Sequence, residues 1–395
     1  MSHLFGRSPN VALHGETPEH PQQDLIPEYV APGRQRIIPE RFLAYAALLG
    51  FVATLAAFLF GCYLDRARAK EHFHQVAVQH LAVVRANVIV VLDTTSLLAS
   101  HFENTDDKGS SRTAFRNMVA PVLAKHRYIQ ALEWIPRVSS SQRPALERLA
   151  RKDGLYDFRL VQPGPRGDMV TELPRDEYFP VFYLEPMIGN ERALGYDLAT
   201  DPVRMAAMQE ALTTGKTVAS GRIRLVQEQG DQYGTLIFTP VYSADIADPQ
   251  QALKGYVSAV IRDGDFVSLS DSDSRTLDSA HLVDIHLFDL SEEKPERQLY
   301  PSTKESPEGL QSGLHADAVF DMGGRSWLLI ATPGPGFVGT PISFGSYAVL
   351  CAGLFITAVF VAYLRLRFRR SERIRQAERE IERLNRMLSS RSSDR

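Results

Sequence analysis

Residues 42–64 read FLAYAALLGFVATLAAFLFGCYL and residues 342–364 read ISFGSYAVLCAGLFITAVFVAYL, each 23 residues long and without a charged side chain. At 1.5 Å per residue such a helix rises about 34 Å, enough to cross a hydrocarbon core of roughly 30 Å. Tyr45, Tyr63, Tyr347 and Tyr363 stand near the ends, where amphipathic rings settle at the interface. Two membrane spans are therefore the expected frame, and residues 65–341 are expected on one side of it.

Charge flanking the second span gives the orientation. Arg365, Arg367, Arg369, Arg370, Arg373 and Arg375 follow it, whereas residues 326–346 hold no Lys or Arg. Positive residues stay in the cytoplasm, so both termini are expected there and residues 65–341 outside, as in a multi-pass protein of a bacterial inner (plasma) membrane. The first span is too long for the apolar core of a cleaved signal and lies behind a 41-residue tail. Leu59-Phe60-Gly61-Cys62 is only loosely lipobox-like, because Phe60 is bulky.

Composition adds little beyond this frame. The 395 residues carry a formal charge of −3, which gives no global reason to expect a nucleic-acid partner. The two cysteines, Cys62 and Cys351, both fall in the spans, so the external region has no disulfide to rely on. A region of its size can bury enough apolar surface without one. Residues 1–41, with Pro9, Pro18, Pro21, Pro27, Pro32 and Pro39 among polar neighbours, read as a disordered tail.

Beyond the first span, Ala77, Leu81, Val84, Val88, Val91, Thr95, Leu98 and Phe102 alternate steps of four and three, predicting a long stalk helix over 66–103. That stripe either packs on its own domain or forms a dimer stalk. Strands are predicted over 129–138, 235–242, 255–261, 282–290 and 327–332, and a helix over 144–152 closed by Gly154. A further helix is marked by Asp201 at its cap, Pro202 in its first turn and Gly215 past its end. The expected class is α+β: an antiparallel sheet with helices, in two lobes at about 110–245 and 253–335. After the second span, Ile374, Ala377, Ile381, Leu384 and Leu388 continue an apolar seam over a short coiled-coil tail, residues 365–395.

No motif for catalysis is found. Gly334, Gly336 and Gly339 have dinucleotide-loop spacing, but a membrane span follows and Pro335 and Pro341 spoil the turn. His72, His74 and His80 are spaced by two and six, which does not place them on one helical face for a metal. Walker, H-E-x-x-H, G-x-S-x-G and kinase signatures are all lacking, and neither metal nor cofactor is expected.

Several blocks carry a resemblance. They are Leu132-Glu133-Trp134-Ile135-Pro136-Arg137, Glu177-Tyr178-Phe179-Pro180-Val181, Asn190 with Leu194-Gly195-Tyr196-Asp197, Thr214-Gly215, and Pro240-Val241-Tyr242, with a weaker echo at His286-Leu287-Phe288-Asp289-Leu290. In this order they closely resemble the CHASE domain, the extracellular sensory module of plant cytokinin receptors and many bacterial sensor kinases and cyclases. The resemblance implies two tandem PAS-like lobes on a stalk helix and a small-molecule ligand outside. In cytokinin receptors an aspartate and a hydroxyl residue face the ligand, and Asp197 and Ser220 are the positions that match. Tyr178, Phe179, Phe182, Leu184 and Trp134 are expected to line the same pocket, beneath the strand over 235–242. An output domain normally follows the second span in this family, but here only about 30 residues do. The expectation is a non-enzymatic homodimeric receptor acting on a kinase or cyclase in trans, or the input half of a split histidine kinase or diguanylate cyclase.

Overall fold

The structure is a computed structural model and describes residues 40–104, 111–164, 168–225, 233–272, 282–293, 297–300, 306–337 and 342–393. The tail over 1–39 and the last glycine of the Gly334 motif lie outside the described residues. In chain order the elements begin with α1 (Glu40–Glu103), α2 (Arg112–Lys125), β1 (Ile129–Pro136), β2 (Val138–Ser139) and α3 (Arg143–Lys152). The short strands β3 (Val161–Pro163), β4 (Met169–Thr171), β5 (Glu177–Tyr178) and β6 (Tyr183–Glu185) follow, then α4 (Pro202–Thr214), β7 (Val218–Ala219) and β8 (Gly234–Tyr242). Next come α5 (Pro249–Ala252), β9 (Leu253–Arg262), α6 (Asp263–Ser272), β10 (Val283–Asp289) and β11 (Gln298–Tyr300). The chain closes with α7 (Pro307–Leu310), β12 (Ala316–Met322), β13 (Arg325–Pro333) and α8 (Phe344–Ser393).

Two antiparallel sheets organise the middle of the chain. The first has the order β6-β1-β9-β8-β7 and the second β11-β10-β13-β12. Strand β9, grouped with the second lobe in the sequence reading, is instead central to the first sheet, pairing with β1 through Trp134↔Val257 and with β8 through Phe238↔Ser258. Its run of small, aromatic and β-branched residues is buried almost throughout, as a central strand requires. The mixed α and β class holds, with two long apolar helices on either side of the sheets in the sequence.

The stalk stripe belongs to the fold of its own chain. Ala77, Leu81, Val84, Val88, Val91, Leu98 and Phe102 are all buried in one cluster with Leu132, Ile237 and Val257 of the first sheet and Leu287, Trp327 and Leu329 of the second. A helix that covers one face of two sheets has no apolar stripe left on that side for a partner. Helix α2, which the sequence reading did not foresee because Pro121 interrupts it, begins at a Ser111 cap that accepts from Ala114 N–H. The α4 termini are as expected: Asp201 accepts from Val203 and Arg204 N–H, and Gly215 is left-handed at φ +66°.

The chain forms two compact units, Met1–Leu55 with Cys351–Arg395, and Ala56–Leu350. In the first unit, Gly50 faces the Thr357 side chain and Gly353 faces the Thr54 side chain, so two small-residue pairs four apart interlock between antiparallel helices. Each threonine hydroxyl donates to the glycine carbonyl one turn back, Thr54 to Gly50 and Thr357 to Gly353, both at 2.8 Å, which satisfies it in an apolar setting. In the other unit, Asp65 Oδ2 accepts from Ser343 N–H at 3.0 Å and from Ser346 O–H at 2.8 Å.

Candidate ligand-binding face

Alternation along the strands sends side chains to opposite faces of the first sheet. Leu132 and Trp134 of β1 join the cluster under α1, while Ala131 and Ile135 join a second apolar cluster with Leu184, Leu236, Phe238, Tyr256 and Val260. Helix α4 and the loop over 179–198 cover that second face, through Met208, Ala211, Phe179, Tyr196 and Leu198.

The residues expected to line one pocket therefore divide between two faces. Phe179 and Leu184 lie on the α4 side. Trp134, Tyr178 and Phe182 lie on the α1 side. Trp134 stacks flat on Phe102 of α1 at 4.1 Å between centroids, which locks stalk to sheet. The Tyr178 hydroxyl accepts from Arg175 N–H at 2.8 Å, with the Arg143 guanidinium over its ring at 5.2 Å.

Asp197 is wholly buried. Its Oδ1 accepts from Phe179 N–H at 2.8 Å and Ala199 N–H at 3.2 Å, capping the turn Leu198–Thr200, while Oδ2 has no partner among the described residues. Burial pushes its pKa above the usual carboxylate value, against the two amides and the Arg175 and Arg143 charges. Glu172 is raised as well, first by burial and then by Asp197 itself. Ser220 is also buried, but its hydroxyl is engaged: it donates to Gly221 carbonyl at 2.8 Å and accepts from Leu236 N–H at 3.1 Å.

Two charged residues on the α4 face were not singled out from the sequence. Glu133, between Ala131 and Ile135 on β1, is 3 % exposed, and Arg204, in the first turn of α4, is also 3 % exposed. Glu133 Oε2 and Arg204 Nε have no partner among the described residues. Ser258 pairs with Glu133 across β1 and β9. Its hydroxyl is outside hydrogen-bonding geometry, yet near enough to favour the charged carboxylate. Burial nevertheless pushes Glu133 up to about 7, against the pull of Arg204 and Ser258. Arg204 donates from Nη1 to the Tyr196 hydroxyl at 2.7 Å and to Asp201 at 3.3 Å, and lies 4.9 Å from the Tyr196 ring centroid. A charge in the centre of an otherwise apolar strand, and another on the Ala207-Met208-Ala211 stripe of its helix, were the signals available.

Residues 108–300 match the CHASE domain, so the resemblance seen in the residue blocks holds over the first sheet and into the second. A curated relative, hybrid signal transduction histidine kinase A of Dictyostelium discoideum, is 21% identical over 333 residues, covering 76% of this chain but 15% of its own length. The chain thus spans a small part of that relative. Among solved structures, methyl-accepting chemotaxis protein X aligns with a TM-score of 0.37 and 12% identity over 67% of this chain and 99% of its own. The extracellular domain of the putative histidine kinase vpHK1S-Z8 aligns with a TM-score of 0.32 and 9% identity, over 68% and 93%. Residues 108–300 thus resemble a CHASE domain, and the chain has two helices long and apolar enough to cross a membrane.

Proposed function

We propose that the chain is a plasma-membrane receptor that takes a small molecule on the α4 face of the first sheet, outside the cell, and passes the change inward as a homodimer. The observation that carries this is Asp197: a carboxylate with no exposure and one oxygen unpartnered, inside the span that matches a sensory domain. Leaving such a group unsatisfied costs about 1–3 kcal/mol, and a ligand donor would remove that cost. Phe179 and Leu184 would give the site an apolar wall. Ser220 fixes the edge of the pocket through the backbone, and Trp134, Tyr178 and Phe182 hold it from the α1 side.

The dimer contact falls on the outer side of α1, where Val78, Ile89 and Leu97 are exposed, and on the tail, where Ile374, Ile381, Leu384 and Leu388 are exposed. The tail then passes the change to a cytoplasmic kinase or cyclase. Reporter fusions test the topology: a periplasmic reporter active at Arg395 would reverse it. For the pocket, the full chain in nanodiscs is titrated with a library of small metabolites by calorimetry. At least one compound should bind, with Asp197→Asn weakening it about tenfold or more. Undiminished binding to Asp197→Asn would overturn the site.

A further inference from the structure

The α4 face holds a second polar feature, and its chemistry specifies what the ligand must offer. Glu133 and Arg204 carry opposite formal charges, both are buried, and each has an atom that makes no hydrogen bond among the described residues, Oε2 on the acid and Nε on the base, although the Ser258 hydroxyl is near the acid. They do not neutralise one another by contact, since Glu133 makes no ion pair among the described residues, although the Arg204 charge is felt at the carboxylate. Arg204 is anchored from its other side, with Tyr196 and Asp201 on Nη1 and the Arg224 carbonyl on Nη2 at 3.4 Å. Its unpaired N–H therefore has a fixed position. Glu133 is likewise fixed, in the middle of β1 and flanked by β6 and β9 through Leu184 and Ser258. Burying a charge without an ion-pair partner is costly, which makes Glu133 a poor structural element, whereas Arg204 is balanced by Asp201 and keeps one N–H unused.

We infer that Glu133 and Arg204 are the two poles of the ligand site: Glu133 takes a protonated nitrogen and Arg204 Nε takes an oxygen acceptor of the same small molecule. The ligand class is thus a compact zwitterion, with an amine at one end and a carboxylate or comparable oxygen at the other. This deepens the receptor reading and rests on it. Leu184, Phe238, Tyr256 and Val260 make up the apolar layer on this face of the sheet, so the part of the ligand joining its ends is apolar.

The test uses the full chain in nanodiscs and calorimetry with glycine, β-alanine and 5-aminopentanoate, each beside propanoate and propylamine, which carry one pole only. At least one zwitterion should bind tenfold or more tightly than either one-pole compound. Glu133→Gln should abolish the preference for the zwitterion over propanoate, and Arg204→Lys the preference over propylamine. Because each is a ratio within one variant, a change in folding stability does not imitate it. If no zwitterion binds, or if Glu133→Gln leaves the ratio unchanged, the inference is wrong. Should Asp197→Asn abolish binding while Glu133→Gln leaves the ratio intact, the receptor site stands and the two-pole assignment falls. Unchanged binding in both variants would remove both.

Discussion

Glu133 and Asp263 make the stability of the folded chain depend on pH in a defined direction. Both acids are held near 7, Glu133 from 4.5 and Asp263 from 3.8, by burial first in each case. Asp263 accepts from the Thr235 hydroxyl at 2.9 Å, and feels Asp289 and Arg222. A raised acid binds its proton more tightly in the folded state than in the unfolded one. Stability therefore falls as pH rises through the window from about 4 to 7, and levels off above it. A shift of this size in Glu133 amounts to about 3 kcal/mol at its full extent. Thermal unfolding of the full chain at pH 5 and pH 8 should show a lower midpoint at pH 8, and Glu133→Gln should narrow the difference; an equal difference would mean that Glu133 is not desolvated. For Asp197, whose alanine variant would be expected to leave an empty pocket's midpoint untouched if the side chain served a ligand alone, the structure gives a different result. Its Oδ1 caps two amides, so Asp197→Ala should lower stability by about 1–3 kcal/mol while Asp197→Asn, which keeps an acceptor, should lower it less. Equal losses would show that the caps carry no stability. The residues that made the family legible do mostly this kind of work. Gly195, at φ +78°, has the Arg159 carbonyl 2.3 Å from where a Cβ would sit, and Asn190 holds the Pro186 carbonyl and Gln130. A sequence pattern reports such folding constraints clearly, whereas a charge facing a buried layer is visible only once the layers are known.

At the scale of elements, periodicity located the stalk but could not tell which surface would claim its stripe. A four-three repeat records that one side of a helix is covered, and two sheets cover it as completely as a second helix does. The consequence is testable by cysteine scanning in a Cys62→Ser, Cys351→Ser chain. Single cysteines at Ile89 and Leu97 should form intermolecular crosslinks, and those at buried Val84 and Val88 should not; crosslinking confined to Val84 and Val88 would return the dimer seam to the inner stripe. The membrane helices were read as two spans by hydropathy alone, which is blind to Gly and Thr spacing. The Gly50–Thr357 and Gly353–Thr54 contacts allow the backbones to approach closely, and packing rather than hydrophobicity joins helices in lipid. A Cβ at Gly50 or at Gly353 would meet the opposing threonine at 2.6 Å. Gly50→Leu and Gly353→Leu should each lower the thermal midpoint in detergent, while Phe51→Leu, on an exposed position, should not. Unaltered midpoints in both glycine variants would mean that the pair does not hold the spans together.

For the region between the spans as a whole, the question is how an event on the first sheet reaches the second, because β13 of the second sheet leads toward α8. Edge strand β7 supplies a direct joint. Ala219 N–H donates to the carbonyl of Gly323 at 2.9 Å, in the turn between β12 and β13. Gly323 sits at φ +55°, and a Cβ there would lie 2.7 Å from the Ala219 nitrogen, so the joint depends on the absence of a side chain. Beside it, Arg325 binds Asp289 at 2.6 Å and also Glu292, whose Oε1 lies against Gly221. The residue after Ala219 is Ser220, tied to Leu236 of β8, so the edge of the proposed ligand face and the β12–β13 turn share one short stretch of chain. Two sheets joined in this way, and both packed on α1, should unfold together. Gly323→Val disrupts the joint at Ala219 and leaves the rest of both sheets unaltered. It should split the single calorimetric transition of the full chain in detergent into two, or lower the midpoint of the transition reported by Trp327, the buried indole of the second sheet, relative to the one reported by Trp134 in the first. Wild-type fluorescence midpoints for single-tryptophan chains, Trp134→Phe and Trp327→Phe, provide the reference. If Gly323→Val leaves one transition at the wild-type temperature, the α1 cluster alone couples the sheets, and a signal would have to travel along the stalk rather than across this turn.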